Sequence, residues 1–249
     1  MTPTLAGIWR HPLKSHGREE LASVSLSEGA CLPWDRHWAV AHEAAKLPEP
    51  MTWARCVNFS RGAKVPALMA ISATLDEASG RLTLTHPDLP VLTFDPETDD
   101  RAFLDWITPL MPDDRAAPAR IVRAPGRGMT DSAFPSIAIL NMASNRALGA
   151  ELGQDLSPHR WRGNLWVEGP EPWEEVTWLG RDLRIGDAVL RVEERITRCK
   201  ATTANPQTGR IDADTLGGLS RIGQGQEFGL YARVVRSGRI ARGDRIEVS

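Results

Sequence analysis

The sequence contains little cysteine, and no two cysteines stand close together. Its 249 residues include three cysteines, Cys31, Cys56 and Cys199, a sparse and odd set that argues against a disulfide framework. There is no CxxC pair and no haem motif, so we expect no iron–sulfur cluster, cysteine zinc site or haem within this chain. The six histidines show no metal-ligand spacing. A metal bound here would therefore have few protein ligands.

Long hydrophobic runs and an excess of one charge sign are missing as well. No stretch approaches the roughly 18 apolar residues of a membrane span, and the amino terminus has no secretory signal pattern. The formal net charge of −2 gives no support to nucleic-acid or membrane affinity. We therefore expect a cytoplasmic protein with no nucleic-acid or membrane partner. Any anion site should be a local cluster of Arg and Lys.

What the sequence does contain is a series of short β-favouring runs separated by Gly, Pro and Asp. Residues 5–12, 21–27 and 36–43 are predicted strands. Residues 67–88 predict a hairpin whose turn includes Gly80. Because strands outnumber helices and no βαβ alternation or glycine fingerprint is present, a nucleotide-binding sheet is not expected.

Helical periodicity is confined to two short segments. Residues 99–111 have apolar residues at helical spacing after acidic ones, and a helix is predicted from about Met142 to Leu152. The fold class is therefore mainly β with a few short helices. We predict an N-terminal β-barrel-like domain over residues 1–115 and a second β-barrel domain over residues 116–249, divided near a segment rich in Pro, Gly and Arg.

The most informative stretch is RITRCKATTANPQTGRID, residues 195–212, where Cys199 stands between Arg198 and Lys200. Adjacent cations favour the thiolate form of a thiol. The alternating directions of strand residues allow the opposite arrangement, with Cys199 facing the core and both cations facing water. The local sequence leaves both open. The signatures of papain-like or caspase-like cysteine hydrolases are missing, whereas a thiolate can serve as a soft metal ligand without a general base.

The segment RCKATTANPQTG resembles the signature R-C-x-x-T-T-x-D-P-x-T-G of the MOSC family, the molybdenum cofactor sulfurase C-terminal domain. FGLYARVVRSGRIARGDRIEV is similar to the closing segment of that domain. The start of the chain, with HPLKS and DRHW, resembles the family's N-terminal β-barrel domain, in which Y-P-x-K-S and D-R-x-W recur. The match spans nearly the whole chain. The sequence is most similar to the group that contains the mitochondrial amidoxime-reducing component and its bacterial relatives.

This resemblance implies a molybdenum cofactor, one molybdenum held by a pterin dithiolene, with Cys199 as the single protein ligand of the metal. Asp131 and Tyr231 are implied to share the catalytic site with Cys199. The implied cofactor contacts are Lys14, Ser15 and Arg36 to the anionic end, Asp131 and Ser132 in TDSAFP to the pterin edge, Arg162 and Asn164 in HRWRGNLWV, and Thr197 near the metal. An anion in a partly dry site needs charge-assisted and bidentate donors, which Lys and Arg supply.

The chain departs from the family pattern at three positions of the motifs. Asn205 replaces the usual aspartate before Pro206, and both residue types favour such a turn. Gly163 stands where proline is common, which is expected to loosen the backbone between Arg162 and Asn164. His11 replaces an aromatic residue. The cysteine that would bind the metal is unchanged.

The reaction implied by the resemblance is the reduction of N-hydroxylated compounds, such as amidoximes, hydroxylamines and N-hydroxylated bases. The electrons are expected from a separate partner, either an iron–sulfur protein or a haem protein with a flavin reductase. Three alternatives stay open: sulfur transfer through a persulfide on Cys199, a cofactor carrier without turnover, and a β-rich module without a cofactor.

Overall fold

The protein, described here by a computed structural model over residues 2–249, is built mainly from strands. The strands are β1 (Thr4–Arg10), β2 (Glu19–Leu21), β3 (Ser23–Leu26), β4 (Ala39–His42), β5 (Ser72–Asp76), β6 (Arg81–His86), β7 (Leu89–Phe94), β8 (Pro118–Val122), β9 (Ile137–Asn141), β10 (Leu165–Glu168), β11 (Asp182–Ile185), β12 (Ala188–Thr197), β13 (Glu227–Arg236), β14 (Gly238–Ala241) and β15 (Ile246–Val248). The helices are α1 (Asp100–Ile107), α2 (Met142–Glu151) and α3 (Thr215–Arg221), with short 3₁₀ turns between elements. The predicted fold class is confirmed.

The largest sheet has eight strands in the order β15-β11-β12-β13-β9-β10-β1-β2. It is antiparallel apart from the parallel pair β9 and β10. The sheet curls so that β1 reaches the segment directly before β15. Leu5 N donates to Asp244 O and Gly243 N donates to Leu5 O, each at 2.8 Å. Apolar side chains of these strands are buried on the inside of the curve, and they include Leu5, Ile8 and Leu230. The curl hides strand edges that would otherwise be exposed.

The first half of the chain contributes a smaller sheet, β5-β6-β7, with α1 packed against it. Phe103 and Ile107 of α1 are buried, and the Phe103 ring stacks on the Phe94 ring of β7 with centroids 5.5 Å apart. The helix has its apolar residues on one face because of the spacing seen in the sequence. It ends at Ile107 and continues as a 3₁₀ turn, since Pro109 cannot continue an α-helix.

Several strand pairs join residues from the two sides of position 115. Strand β3 pairs with β14, β4 pairs with β8, and β1 pairs with β10 in the large sheet. The division into residues 1–115 and 116–249 stays a prediction. The hairpin of β5 and β6 is confirmed, with Gly80 in the left-handed region at φ +73°. No helix within residues 2–249 is long and apolar enough to cross a membrane.

Candidate functional site

The structure brings most of the predicted site residues to one cavity, called here the central cavity, with a volume of about 250 Å³. Those that line it are Lys14, Ser15, Arg36, Asp131, Arg162, Thr197, Cys199 and Tyr231. They come from segments that are distant in sequence: Thr197 and Tyr231 lie on β12 and β13, and the others lie in loops between elements. A surface assembled from so many separate segments is typical of a binding site held by a rigid scaffold.

Cys199 follows β12 and stands directly before the 3₁₀ turn Lys200–Thr203. Its carbonyl oxygen accepts from the Thr202 backbone N at 3.2 Å and from the Thr202 hydroxyl at 3.1 Å. These two bonds fix the backbone of the cysteine, and Cys199 is exposed on the cavity wall. The arrangement in which Cys199 faces the core is therefore not the one observed.

The backbone around the cavity is held in an unusual conformation at several points. Ser15, Arg36 and Arg162 have φ values of 65°, 49° and 50°, in the left-handed region. Non-glycine residues adopt this region at an energetic cost, and such strain is concentrated at functional sites. The surrounding structure maintains it: Lys14 N donates to Trp38 O at 2.8 Å, and Arg36 N donates to His11 O at 2.7 Å.

The cavity wall is strongly cationic. Its cationic side chains are Lys14, Arg36, Arg61, Arg160, Arg162 and Arg198, whereas Asp131 is the one carboxylate that lines it among residues 2–249. The guanidinium groups of Arg160, Arg162 and Arg198 each have one buried nitrogen without a hydrogen-bond partner in the structure. Buried donors are normally satisfied. Three orphaned donors beside one cavity indicate a wall shaped to receive an anion.

Burial is the main cause of the pKa shifts of Arg162 and Arg198. Burial together with the charge of Arg36 lowers the pKa of Arg162 to about 9. Burial lowers the pKa of Arg198 to about 10, although the nearby Tyr231 and Cys199 oppose this. Both guanidinium groups lack a sufficient counter-charge in the protein alone. A bound anion would supply that counter-charge.

Arg36 is held by a buried acid and by two carbonyl oxygens. It forms an ion pair with Asp35, and its Nη2 atom donates to Arg162 O at 2.7 Å. The Asp35 side chain is 0% exposed and also accepts from His11 N at 2.8 Å. Burial opposes ionisation of Asp35, but Arg36 and His11 hold the pKa of its carboxyl well below the usual range. The acid therefore stays charged and fixes the direction of Arg36.

Lys14 and Asp131 form the other ion pair of the site. Lys14 is buried, and its Nζ donates to Asp131 Oδ1 and to Met129 O, both at 2.6 Å. The Asp131 carboxyl group is 57% exposed. Desolvation opposes its ionisation, but Lys14, Arg36 and Arg162 keep the pKa of Asp131 below the usual range. Asp131 thus presents a charged acceptor to the cavity.

Tyr231 lies on β13 and lines the cavity beside Asp131. Burial and the negative charge of Asp131 raise the pKa of Tyr231 to about 12. The phenol is therefore protonated at neutral pH, and it faces the cavity as a neutral donor or acceptor.

Two predicted contact residues do not line the cavity. Ser132 is buried and donates to Ser136 Oγ at 2.6 Å, and Asn164 is buried and donates to Trp9 O at 3.1 Å. The Asn164 Oδ1 atom also accepts from Arg36 at 3.3 Å. In the structure these two side chains support the neighbouring loops. Their direct contact with a cofactor stays a prediction.

The departures from the motif pattern have structural explanations. A Cβ atom at Gly163 would collide with the buried Leu140 side chain, so glycine here allows close packing rather than a looser backbone. The Asn205 Oδ1 atom accepts from Gln207 N at 2.8 Å, which preserves the turn expected of aspartate.

Sequence reasoning did not single out Cys56, Arg61 or Arg160, which line the cavity, and it did not predict the inward orientation of Arg198. Arg198 donates to Phe228 O at 2.7 Å and Trp161 O at 2.9 Å, which turns it away from solvent. Arg160 pairs with Asp212 at 2.6 Å. Neighbouring motifs contain Arg160 and Arg198, but only the tertiary fold places Cys56 and Arg61 here.

His16, two residues after Lys14, is expected to make stability depend on pH. It is 0% exposed, and its Nδ1 lies 2.7 Å from Lys14 O. Burial lowers the pKa of His16 to about 4 from an ordinary value of 6.5, so the unfolded chain takes up the proton first. The unfolding free energy should therefore keep its full value above pH 6.5 and fall by about 3 kcal/mol between pH 6.5 and pH 4.

The measurement is urea unfolding over this pH range for the wild type and His16→Gln. The variant should show a flatter pH dependence, because glutamine does not titrate. Equal slopes for both proteins would contradict the assignment to His16.

Two family models match the chain, one after the other. The MOSC N-terminal beta barrel domain matches residues 2–108, and the MOSC domain matches residues 132–247. The resemblance of the motifs is thereby confirmed, and the chain belongs to the family of MOSC-domain proteins.

Individual relatives connect this family with two kinds of protein. The mitochondrial amidoxime-reducing component 1 of Danio rerio is 27% identical over 243 residues, which covers 80% of this chain and 68% of that protein. The molybdenum cofactor sulfurase of Drosophila grimshawi is 36% identical over 94 residues, or 37% of this chain. The chain spans only 12% of the length of the sulfurases that it matches. The crystal structure of the YuaD protein from Bacillus subtilis aligns over 100% of this chain and 96% of its own, with a TM-score of 0.48 and 15% identity.

Proposed function

We propose that this protein is a molybdenum-cofactor-dependent reductase of N-hydroxylated compounds, with Cys199 as the protein ligand of the metal. The observation that carries the proposal is that one cavity is lined by an exposed thiol and by three guanidinium groups, each of which has one nitrogen without a hydrogen-bond partner. An anionic cofactor that also has an open metal position needs both features. The similarity to an amidoxime-reducing component supports the substrate class.

The residues present fit this cofactor. Within the described part of the chain, residues 2–249, no cluster of three or more His, Cys, Asp or Glu could hold a metal ion. A metal bound at Cys199 would therefore take its other ligands from a non-protein group, as a dithiolene provides. Lys14, Ser15, Arg36 and Arg162 would hold the anionic end, and the orphaned Nη2 atom of Arg162 would gain an acceptor.

The bound cofactor supplies two-electron oxygen-atom chemistry, and the protein residues orient the substrate and handle protons. Tyr231 has a pKa of about 12 and is therefore protonated at neutral pH, so its hydroxyl can donate a hydrogen bond to the N–O oxygen of the substrate. Asp131, charged and next to Lys14, can accept a hydrogen bond from an amidine N–H group. These two side chains line the same cavity as Cys199.

Electrons are proposed to come from a separate protein, an iron–sulfur protein or a haem protein with a flavin reductase. Within residues 2–249, no cluster of His, Cys, Asp and Glu side chains could hold a metal ion that would relay these electrons. The proposed location is the cytoplasm.

Sulfur transfer is a second candidate function. It is favoured by the exposure of Cys199, which an incoming sulfur donor could reach, and by the 94-residue similarity to molybdenum cofactor sulfurase. In that case Cys199 would carry a persulfide, and treatment with cyanide would release its outer sulfur as thiocyanate.

The proposed function is tested by the ratio of molybdenum to protein in the purified chain, measured by mass spectrometry, together with reduction of benzamidoxime by an artificial electron donor. About one equivalent of molybdenum and turnover would support the reductase. Metal without turnover would support a carrier. No metal after expression with excess molybdate and competent cofactor synthesis would refute both, and a persulfide would then be sought.

A further inference from the structure

A second cavity lies beside the central cavity and shares Arg61 with it. This second cavity has a volume of about 170 Å³. Arg61 lines both cavities, and Phe59, Val65 and Met111 give the second one an apolar wall. Arg61 is therefore the residue at which the apolar space of the second cavity borders the site of Cys199. Nothing in the proposed function uses this space.

The charged groups of the second cavity all have one sign. Arg61, Lys64 and Arg115 line it, and no Asp or Glu is among the lining residues. Between residues 2 and 249, the guanidinium of Arg61 has one hydrogen-bond partner, Cys56 Sγ at 3.4 Å. Sulfur is a weak acceptor. Arg61 thus keeps most of its donor capacity free for a ligand.

The backbone of Arg61 is held in place, although most hydrogen-bond donors of its side chain have no partner among residues 2–249. Its carbonyl oxygen accepts from Lys64 N and from Val65 N, both at 3.0 Å, in a tight turn that begins at Arg61. This turn also brings Lys64 to the same cavity. A pre-organised guanidinium fork loses less conformational entropy when it binds a planar carboxylate in a bidentate manner.

The second cavity therefore combines an apolar wall with Arg61, a cation without an acidic partner within residues 2–249, at the boundary to the site of Cys199. That combination is complementary to a ligand with an apolar body and an anionic end. We propose that the second cavity binds a carboxylate of the substrate, so that the preferred substrates are N-hydroxylated compounds with an apolar body that ends in a carboxylate. The inference rests on the proposed function, because it assigns the N–O group of the same molecule to the side of Cys199.

The test compares benzamidoxime with 4-carboxybenzamidoxime as substrates of the molybdenum-loaded enzyme. The kcat/KM of the carboxylated compound should exceed that of the neutral one by about tenfold or more, as expected for a hydrogen bond to a charged group. Arg61→Gln should remove most of this preference, and Arg61→Lys should keep part of it. The matched control is Arg120→Gln, an exposed arginine on β8 that lines neither cavity and should leave the preference unchanged.

Isothermal titration calorimetry of both compounds separates this inference from the proposed function. Tighter binding of 4-carboxybenzamidoxime than of benzamidoxime, lost in Arg61→Gln and kept in Arg120→Gln, supports the carboxylate site even if neither compound is reduced. The inference would be overturned if the wild type and Arg61→Gln each reduced both compounds with equal kcat/KM and bound both with equal affinity. The proposed reductase function would still stand in that case.

Discussion

Cys199→Ala is expected to lower the rate of benzamidoxime reduction by at least about a hundredfold, more than the loss of a group that only orients a metal ligand. The substitution removes the protein sulfur that we propose as the ligand of the metal. It leaves Lys14, Arg36 and Arg162 in place, so the cofactor should be retained better than the activity. The measurements are the rate with an artificial electron donor and the molybdenum content of each preparation.

Cys56→Ala is the matched control, because Cys56 lines the same cavity and is also a free thiol. It should keep most of the rate with benzamidoxime. Cys199 is exposed, so its replacement should change the unfolding free energy by about 0.5 kcal/mol or less. A Cys199→Ala protein that is as active as the wild type would remove the metal-ligand assignment.

Asp35→Ala is expected to lower the unfolding free energy by about 3–5 kcal/mol, the cost of breaking a buried ion pair. Asp35 is 0% exposed, and its Arg36 partner is 14% exposed. Without the carboxylate, Arg36 and the backbone N of His11 lose this acceptor, and Arg36 and Arg162 lose the counter-charge of Asp35. Urea unfolding of the metal-free protein measures the difference.

The comparison variant is Asp105→Ala, which breaks the exposed pair of Asp105 with Arg101 on α1. Exposed pairs contribute about 0–1 kcal/mol, so this variant should be nearly as stable as the wild type. If both variants lost the same stability, burial would not be the reason for the importance of Asp35.

Spacing and turn chemistry predicted features whose residues are neighbours both in the chain and in space, whereas the grouping of Lys14, Arg36 and Arg162 with Cys199 was implied only by the family resemblance. Cys199 with its threonines and the Asn205 turn form one local unit, and the hairpin of β5 and β6 closes through residues close in sequence. For these segments, local spacing and turn chemistry determine the structure.

Features that depend on long-range packing could not be predicted in this way. The close contact of Gly163 with Leu140 concerns two residues from different segments of the chain. Arg61 reaches the central cavity only because the fold brings its loop beside β12. The helix α3 has two adjacent glycines, Gly217 and Gly218, and these are poor helix formers. Its Asp214 cap and the packing of Leu219 compensate.

The pairing of β1 also constrains the order in which the molecule can assemble. Strand β1 pairs with β10 on one side, and on the other it pairs with β2 and bonds to residues 243–244. During synthesis, β1 leaves the ribosome together with β2 but long before β10 and residues 243–244 exist. The large sheet closes only through contacts of high sequence separation, which form slowly. Of the residues that line the central cavity, Lys14 follows β1 closely and Tyr231 on β13 comes last along the chain. The central cavity is therefore completed only after translation has passed β13, and any cofactor must be inserted after that point.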